Sequence, residues 1–385
     1  MKIVFVSNYF NHHQKPFSDA IYSRIGDDYT FVETMPMSVE RQKLGWGQDC
    51  LPKYVVPYTI YHTVPEKIKT LIDTANIVIF GAAPLKLIED RIKKNKIVFL
   101  YSERPLKKSK ERWKIPVRLF TWRKAYPQSP NSYMLAASAY TSADFALFGL
   151  YRRKCYKWGY FTEVKRYDDI NQLIESKHPA SILWGARFIE WKHPEISIYV
   201  AKRLKAEGYK FTLNMIGNGE LQEQIAKQIT ENGLEDCVHL LGSMKPEQVR
   251  EHMEQSEIFL FTSDRNEGWG AVLNESMNSA CAVVASHAIG AVPFLVKDKK
   301  NGLIYKDGDF EDFYRKVKHL LDYPDERMEI SKNAYYTMIN EWNAEKAACR
   351  FIELSERILG GDKKPSLYSN GVCSRAEIMR DDWMK

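Results

Sequence analysis

Short apolar runs rich in β-branched residues alternate along most of the chain with longer stretches whose apolar positions recur at helical spacing. That alternation is the pattern of βαβ units around a parallel sheet. In the first half the runs predict strands at residues 2–7, 30–34, 77–81, 97–102 and 145–148. The pattern then starts afresh at 181–185, 211–217, 238–242, 258–262, 282–286 and 303–305. Between the halves, residues 156–179 mix aromatic and polar positions without a period and read as a linker. After about residue 323 the chain reads as helices through 359, followed by a polar tail expected to be an exposed addition. The domains are therefore expected at 1–165 and 166–340, with 341–385 as a C-terminal helix and tail. Two such α/β halves are expected to face each other across a cleft, because open parallel sheets bind ligands beyond the carboxyl ends of their strands.

A length of 385 residues suits two domains, and at 44% hydrophobic and 27% charged each half can build a core. No apolar run is long enough to span a bilayer. The start, Met1 to Ser7, has a charge and then apolar residues, but Asn8 to Gln14 turn polar too soon for a signal peptide, so it reads as a first buried strand. The six cysteines are scattered without a C-x-x-C, which fits free thiols in a reducing cytoplasm. The formal charge of +7 is exceeded locally: residues 104–124 carry nine Arg and Lys against Glu111 alone. Trp113, Leu119, Phe120 and Trp122 are interleaved with them. The mixture suits an anionic membrane surface on the cytoplasmic side or a phosphate-bearing acceptor, and equally a solvated basic loop and helix. No nucleic-acid partner is expected.

Four strand exits in the second half carry candidate chemistry. After the run at 258–262 the chain reads Asp264-Arg265-Asn266-Glu267-Gly268-Trp269-Gly270-Ala271-Val272-Leu273-Asn274-Glu275. Its glycines allow close backbone approach where a helix opens, and the free N–H groups there suit a diphosphate. Glu267 before the helix and Glu275 inside it could meet opposite ends of one nucleotide sugar; without their context they would be a solvated helix face. After the run at 181–185 come Arg187 and Lys192, cations able to clamp a leaving diphosphate and stabilise its growing charge. Gly217-Asn218-Gly219 is a tight turn or a site of close approach, and Leu241-Gly242-Ser243-Met244 could flank a base. Trp269 is expected to pack beneath its loop.

In this order the motifs resemble glycosyltransferase family 4, the retaining enzymes of GT-B fold, over about residues 181–321. The matches are Gly185 to Lys192, Gly217 to Gly219, Leu241-Gly242, the E-x7-E of Glu267 and Glu275, and the closing segments Ala282 to Ser286, Gly290 and Asn301 to Ile304. The resemblance implies two Rossmann-like domains with C-terminal helices returning toward the first, and transfer from a nucleotide diphosphate sugar to a glycan or lipid-linked acceptor with retention. It gives the phosphates to Arg187 and Lys192, the sugar hydroxyls to Glu267 and the ribose hydroxyls to Glu275. Gly217, Met244, Gly268, Gly270, Ala271 and Val272 complete the implied donor set. No cofactor beyond the co-substrate and no metal is implied, and no D-x-D motif sits where a donor would require one.

Three departures stand out. The first strand is followed by Asn8-Tyr9-Phe10-Asn11-His12-His13-Gln14 and not by a glycine-rich loop, so His12 or His13 is a candidate for an acceptor or donor hydroxyl. Where members often carry a His near the end of an N-domain strand, this chain has Tyr101-Ser102-Glu103-Arg104-Pro105. Glu103 is the candidate in its place, with a structural ion pair to Arg104 or a neighbour as the alternative. The family's Pro-Glu after the glycine pair becomes Gly290-Ala291-Val292-Pro293-Phe294. With no evident enzymic nucleophile for a double displacement, the implied mechanism is front-face departure, in which Arg187 and Lys192 neutralise the diphosphate while it takes the acceptor proton. The rival readings are a sugar-nucleotide epimerase of the same architecture and a non-catalytic nucleotide-sugar or glycan-binding module. A dinucleotide-dependent oxidoreductase fits poorly, because no G-x-G-x-x-G follows the first strand.

Overall fold

The structure is a computed structural model that describes residues 1–38, 50–107, 121–126 and 128–384. These residues gather into two units, Met1–Glu163 with Trp342–Trp383, and Val164–Glu341 with Met384.

The first unit is built on seven parallel strands in the order β3-β2-β1-β4-β5-β6-β7. They are β1 (Ile3–Ser7), β2 (Tyr29–Glu33), β3 (Val55–Val56), β4 (Ile77–Phe80), β5 (Ile97–Ser102), β6 (Ser132–Ala136) and β7 (Cys155–Lys157). β1 lies between β2 and β4, with Ile3 opposite both Tyr29 and Ile77. Its five residues are all buried, as expected of a strand covered on both faces. One face carries an aliphatic core around Val4, Val6, Val78, Val98, Leu100 and Met134. The other is aromatic. Phe17 from the helix Lys15–Ile25 and Trp158 meet Phe351 at ring centroid distances of 6.1 and 5.7 Å, and Phe99 meets it at 5.0 Å. Phe351 belongs to the helix Ala344–Leu359, so the end of the chain completes the core of the first unit.

Three expectations for this unit need correction. The run at 145–148 is not a strand: Phe145 lies in the helix Thr141–Leu147 and packs on Tyr126 and Tyr151, the ambiguity inherent in a short apolar run. The sheet instead continues through β6 and β7, so residues 156 and 157 of the supposed linker are strand. The tail is no exposed addition. Val372, Cys373 and Ser374 are buried, and Tyr156 pairs antiparallel with Arg375. Lys157 N donates to Ser374 O at 2.8 Å and Ala376 N to Cys155 O at 3.0 Å, which covers the edge that β7 would otherwise expose.

The second unit has six parallel strands in the order β10-β9-β8-β11-β12-β13. They are β8 (Ser181–Gly185), β9 (Thr212–Ile216), β10 (Val238–Gly242), β11 (Ile258–Phe261), β12 (Ala282–Ser286) and β13 (Leu303–Tyr305). All six fall on predicted runs. Their cover includes the helices Pro194–Ala206, Gln222–Glu231 and Phe310–Asp322, which bury Leu204, Ile225 and Phe313. The strand order reverses between β8 and β11. That is the topological switch point, where the loops leaving neighbouring strands diverge and open a crevice.

Candidate functional site

Arg187 and Lys192 leave β8 and Glu267 follows β11, so all three emerge at the switch point of the second sheet. The Arg187 turn is shaped by the glycines after β9. Gly217 has φ of 136°, and a Cβ there would lie 1.9 Å from the Ala186 carbonyl oxygen; at Gly219 it would lie 2.4 Å from that of Phe188. Phe188 N donates to Asn218 O at 2.8 Å. These glycines thus admit the close approach of the neighbouring loop. Arg187 itself is exposed, with its guanidinium carbon 5.9 Å from the centre of the Trp191 ring. The Lys192 ammonium lies 4.4 Å from that same centre. One indole ring therefore serves two cations.

Lys192 closes a short 3-10 turn, Glu190–Lys192, tied to the exit of β11. Trp184 Nε1 donates to Thr262 Oγ1 at 2.8 Å, and that hydroxyl donates to Lys192 O at 2.6 Å. The Lys192 ammonium makes an ion pair with the Glu267 carboxylate, which also accepts from Ser263 Oγ at 3.1 Å. Beyond Glu267, Trp269 is fully buried, and its Nε1 donates to Asn274 Oδ1 at 3.0 Å, beneath the loop as expected. Gly270, with φ of 89°, caps the helix Ala271–Asn278; a Cβ there would meet Phe261 at 2.4 Å. Ala271 and Val272 are half-buried at the helix start, Gly268 is buried, and Met244 is half-buried after β10. Glu275 is half-buried on that helix, not exposed; burial pushes its carboxyl up to about 7 against the pull of Arg250.

The first unit gathers a separate constellation. His12 and His13 follow β1 with ring centroids 3.9 Å apart, and His13 stacks on Tyr160 at 5.6 Å. Burial, reinforced by His12, lowers His13 to about 3, so its ring is neutral at physiological pH. Tyr160 donates its hydroxyl to Glu103 Oε1 at 2.5 Å, and Lys107 Nζ donates to Glu103 Oε2 at 2.7 Å. The cation beside Glu103 is thus Lys107 and not Arg104. Arg104 is buried between Asp144 at 3.2 Å and Asp381 at 2.7 Å, so its charge is neutralised inside the unit and does not belong to a membrane-facing surface. Nor does Trp122, which stacks on Phe148 at 4.3 Å. Residues 108–120 of the basic segment, with Trp113, Leu119 and Phe120, lie outside the described residues.

Residues 166–337 match the family described as glycosyl transferases group 1. The second unit thus matches the group 1 glycosyl transferase domain over nearly its whole length. Among curated relatives, the amylovoran biosynthesis glycosyltransferase AmsK of Erwinia amylovora is 32% identical over 144 residues, 36% of this chain and 35% of its own length. The putative colanic acid biosynthesis glycosyltransferase WcaL of Salmonella typhimurium is 26% identical over 136 residues, 34% of this chain and 33% of its own. The chain thus matches about a third of the length of these relatives. A crystal structure of HepE from Anabaena in complex with UDP is 18% identical, with a TM-score of 0.66 over 94% of this chain and 99% of that one. That likeness extends over both parallel-sheet units and shows the GT-B fold.

Around the group 1 domain's predicted residues, the structure adds Trp191, Ser263, His193 and Asp264; in the first unit it adds Tyr160 and Lys107. Ser263 and Asp264 leave a strand, a position that could have marked them. Tyr160 follows an edge strand too short to announce itself. Among the described residues no helix is long and apolar enough to cross a membrane.

Proposed function

We propose that this protein is a retaining, metal-independent glycosyltransferase that moves a sugar from a UDP-sugar to a glycan or lipid-linked acceptor in polysaccharide synthesis. The observation that carries the reading is the Lys192–Glu267 ion pair at the switch point of the group 1 domain, flanked by Arg187 and by the start of the helix Ala271–Asn278. Arg187 and Lys192 would neutralise the departing diphosphate, and the backbone N–H groups at Ala271 and Val272 add donors of the same sign. Glu267, released from Lys192 as the ammonium turns to the phosphate, would hold the sugar hydroxyls, while Glu275 accepts from the ribose. On the acceptor side, Glu103 and His12 are the groups we assign, held by Tyr160, Lys107 and His13. The UDP bound to HepE and the polysaccharide pathways named for AmsK and WcaL support the choice of donor and product class.

The test is incubation with UDP-sugars and oligosaccharide or lipid-linked acceptors, with the product read by NMR. We expect transfer with the donor's anomeric configuration kept and undiminished in EDTA. Arg187→Ala or Lys192→Ala should cost roughly 2–4 kcal/mol of transition-state stabilisation, as a lost oxyanion donor does. An inverted linkage would defeat the retaining assignment. Conversion of the donor without any acceptor would favour an epimerase.

A further inference from the structure

His193, immediately after Lys192, has a left-handed backbone with φ of 50° and ψ of 54°, a conformation uncommon for a residue with a side chain. Such a conformation persists only where the surroundings hold it. Here the ring spans two carboxylates. Nδ1 is 2.8 Å from Glu195 Oε1, on the helix that follows, and Nε2 is 3.8 Å from Asp264 Oδ2, on the loop leaving β11. Asp264 is itself tied to both sides of the crevice. Its N donates to Trp191 O at 3.0 Å, its O accepts from Glu267 N at 3.0 Å, and its carboxylate accepts from Asn266 N at 2.7 Å. The His193–Asp264 side-chain pair therefore adds to the Thr262 hydroxyl and the Asp264 backbone a further link between the turn that ends in Lys192 and the loop that carries Glu267.

We propose that His193 is a positioning residue: its ring, clamped between Glu195 and Asp264, sets the Lys192 turn against the Glu267 loop so that ammonium and carboxylate meet a nucleoside diphosphate together. The inference rests on the donor site proposed above. Charge supports the geometry. The Asp264 carboxylate and the hydrogen bond to Glu195 raise His193 to about 10, so the clamp is an imidazolium at neutral pH. Asp307, after β13, also faces it; burial and the Asp264 charge raise its carboxyl against the pull of His193 and His287. His287 accepts from Asp307 N at 2.9 Å. A neutral ring would keep one hydrogen bond and lose the attraction to the second carboxylate, leaving the Lys192 turn tied to the β11 exit by Thr262 and the Asp264 backbone only.

The experiment is titration of the full chain with UDP by calorimetry. His193→Gly, which suits the left-handed backbone, should melt near the wild type yet bind UDP about tenfold more weakly, a loss typical of coupled neighbours. His193→Arg, which restores a cation between the carboxylates, should recover most of that loss. As pH rises through 10 the wild type should lose its advantage over His193→Gly. Should His193→Gly fail to fold, His193→Asn, which also tolerates a left-handed backbone, carries the same comparison. Wild-type UDP affinity in His193→Gly, beside weak binding by Lys192→Ala, would overturn the positioning role and leave the donor site standing. A loss that neither His193→Arg nor high pH alters would reduce His193 to a structural residue. Lys192→Ala binding UDP like the wild type would remove the donor site and this inference with it.

Discussion

Glu275 separates a structural cost from a ligand-binding role. Burial raises its carboxyl to about 7, against 4.5 for an ordinary glutamate. Between those values the unfolded chain releases the proton and the folded protein keeps it, so this residue subtracts stability as pH rises from about 4.5 to 7. Glu275→Gln should therefore melt like the wild type at pH 4.5 and be the more stable protein at pH 8. The difference should be about 1–2 kcal/mol once partial exposure is allowed for. If the carboxylate receives the ribose hydroxyls, the same variant should bind UDP more weakly while being more stable. Calorimetric melts at the two pH values, together with a UDP titration, read both signs. A variant that gains stability without losing affinity would take Glu275 out of the donor site. Lys177 is the opposite case: buried, it donates to the carbonyls of Met253, Glu254, Ser256 and Ser279 at 2.9–3.1 Å, which makes it a structural lysine despite its chemistry.

At the scale of elements, the loop after β9 decides where Arg187 stands. Gly217→Ala would place a methyl 1.9 Å from the Ala186 carbonyl and force a positive φ on an alanine, so the two turns must separate. A loss of about 2–4 kcal/mol is expected, in the upper range for single substitutions. UDP affinity should fall as Arg187 is displaced. Urea unfolding and a UDP titration measure the two effects; unchanged values would mean that the turns yield without consequence. The glycine pair was legible in the sequence as a tight turn or close approach. Which partner approached was not, because Ala186 and Phe188 lie some thirty residues away in the chain and meet it only through the parallel pairing of β8 with β9.

The whole chain is threaded unevenly: the second unit is continuous over Val164–Glu341, whereas the first needs both ends of the chain. Residues 164–341 expressed alone should fold cooperatively and bind UDP, since their sheet, core and proposed donor residues are all present. A chain ending at Glu341 should keep that unit but lose the ordered first one. Phe351 would be missing from the aromatic core, and the strand edge at β7 would be uncovered. Two calorimetric transitions in the full chain, with only one surviving in either truncation, would bear this out. A fully folded first unit in the shorter chain would contradict it.

The sequence by itself determined the second unit almost completely. Every strand there is a short apolar run, and the donor candidates follow those runs closely, so local pattern and local spacing put Arg187, Lys192 and Glu267 at strand exits and Glu275 on the helix beyond. The first unit was less legible. β6 and β7 are short and mix tyrosine, methionine and lysine with apolar residues, while the run at 145–148 looks like a strand and is helical because its burial comes from Tyr126 and Tyr151. Only the tertiary structure decided what long-range pairing decides. Arg104 turned inward to Asp144 and Asp381, Glu103 took Tyr160 and Lys107 as partners, and the tail closed the β7 edge. Sequence pattern reports which residues are buried or lie at a strand's end; a charge's partner is set by chain segments up to 277 positions away, as Arg104 and Asp381 are.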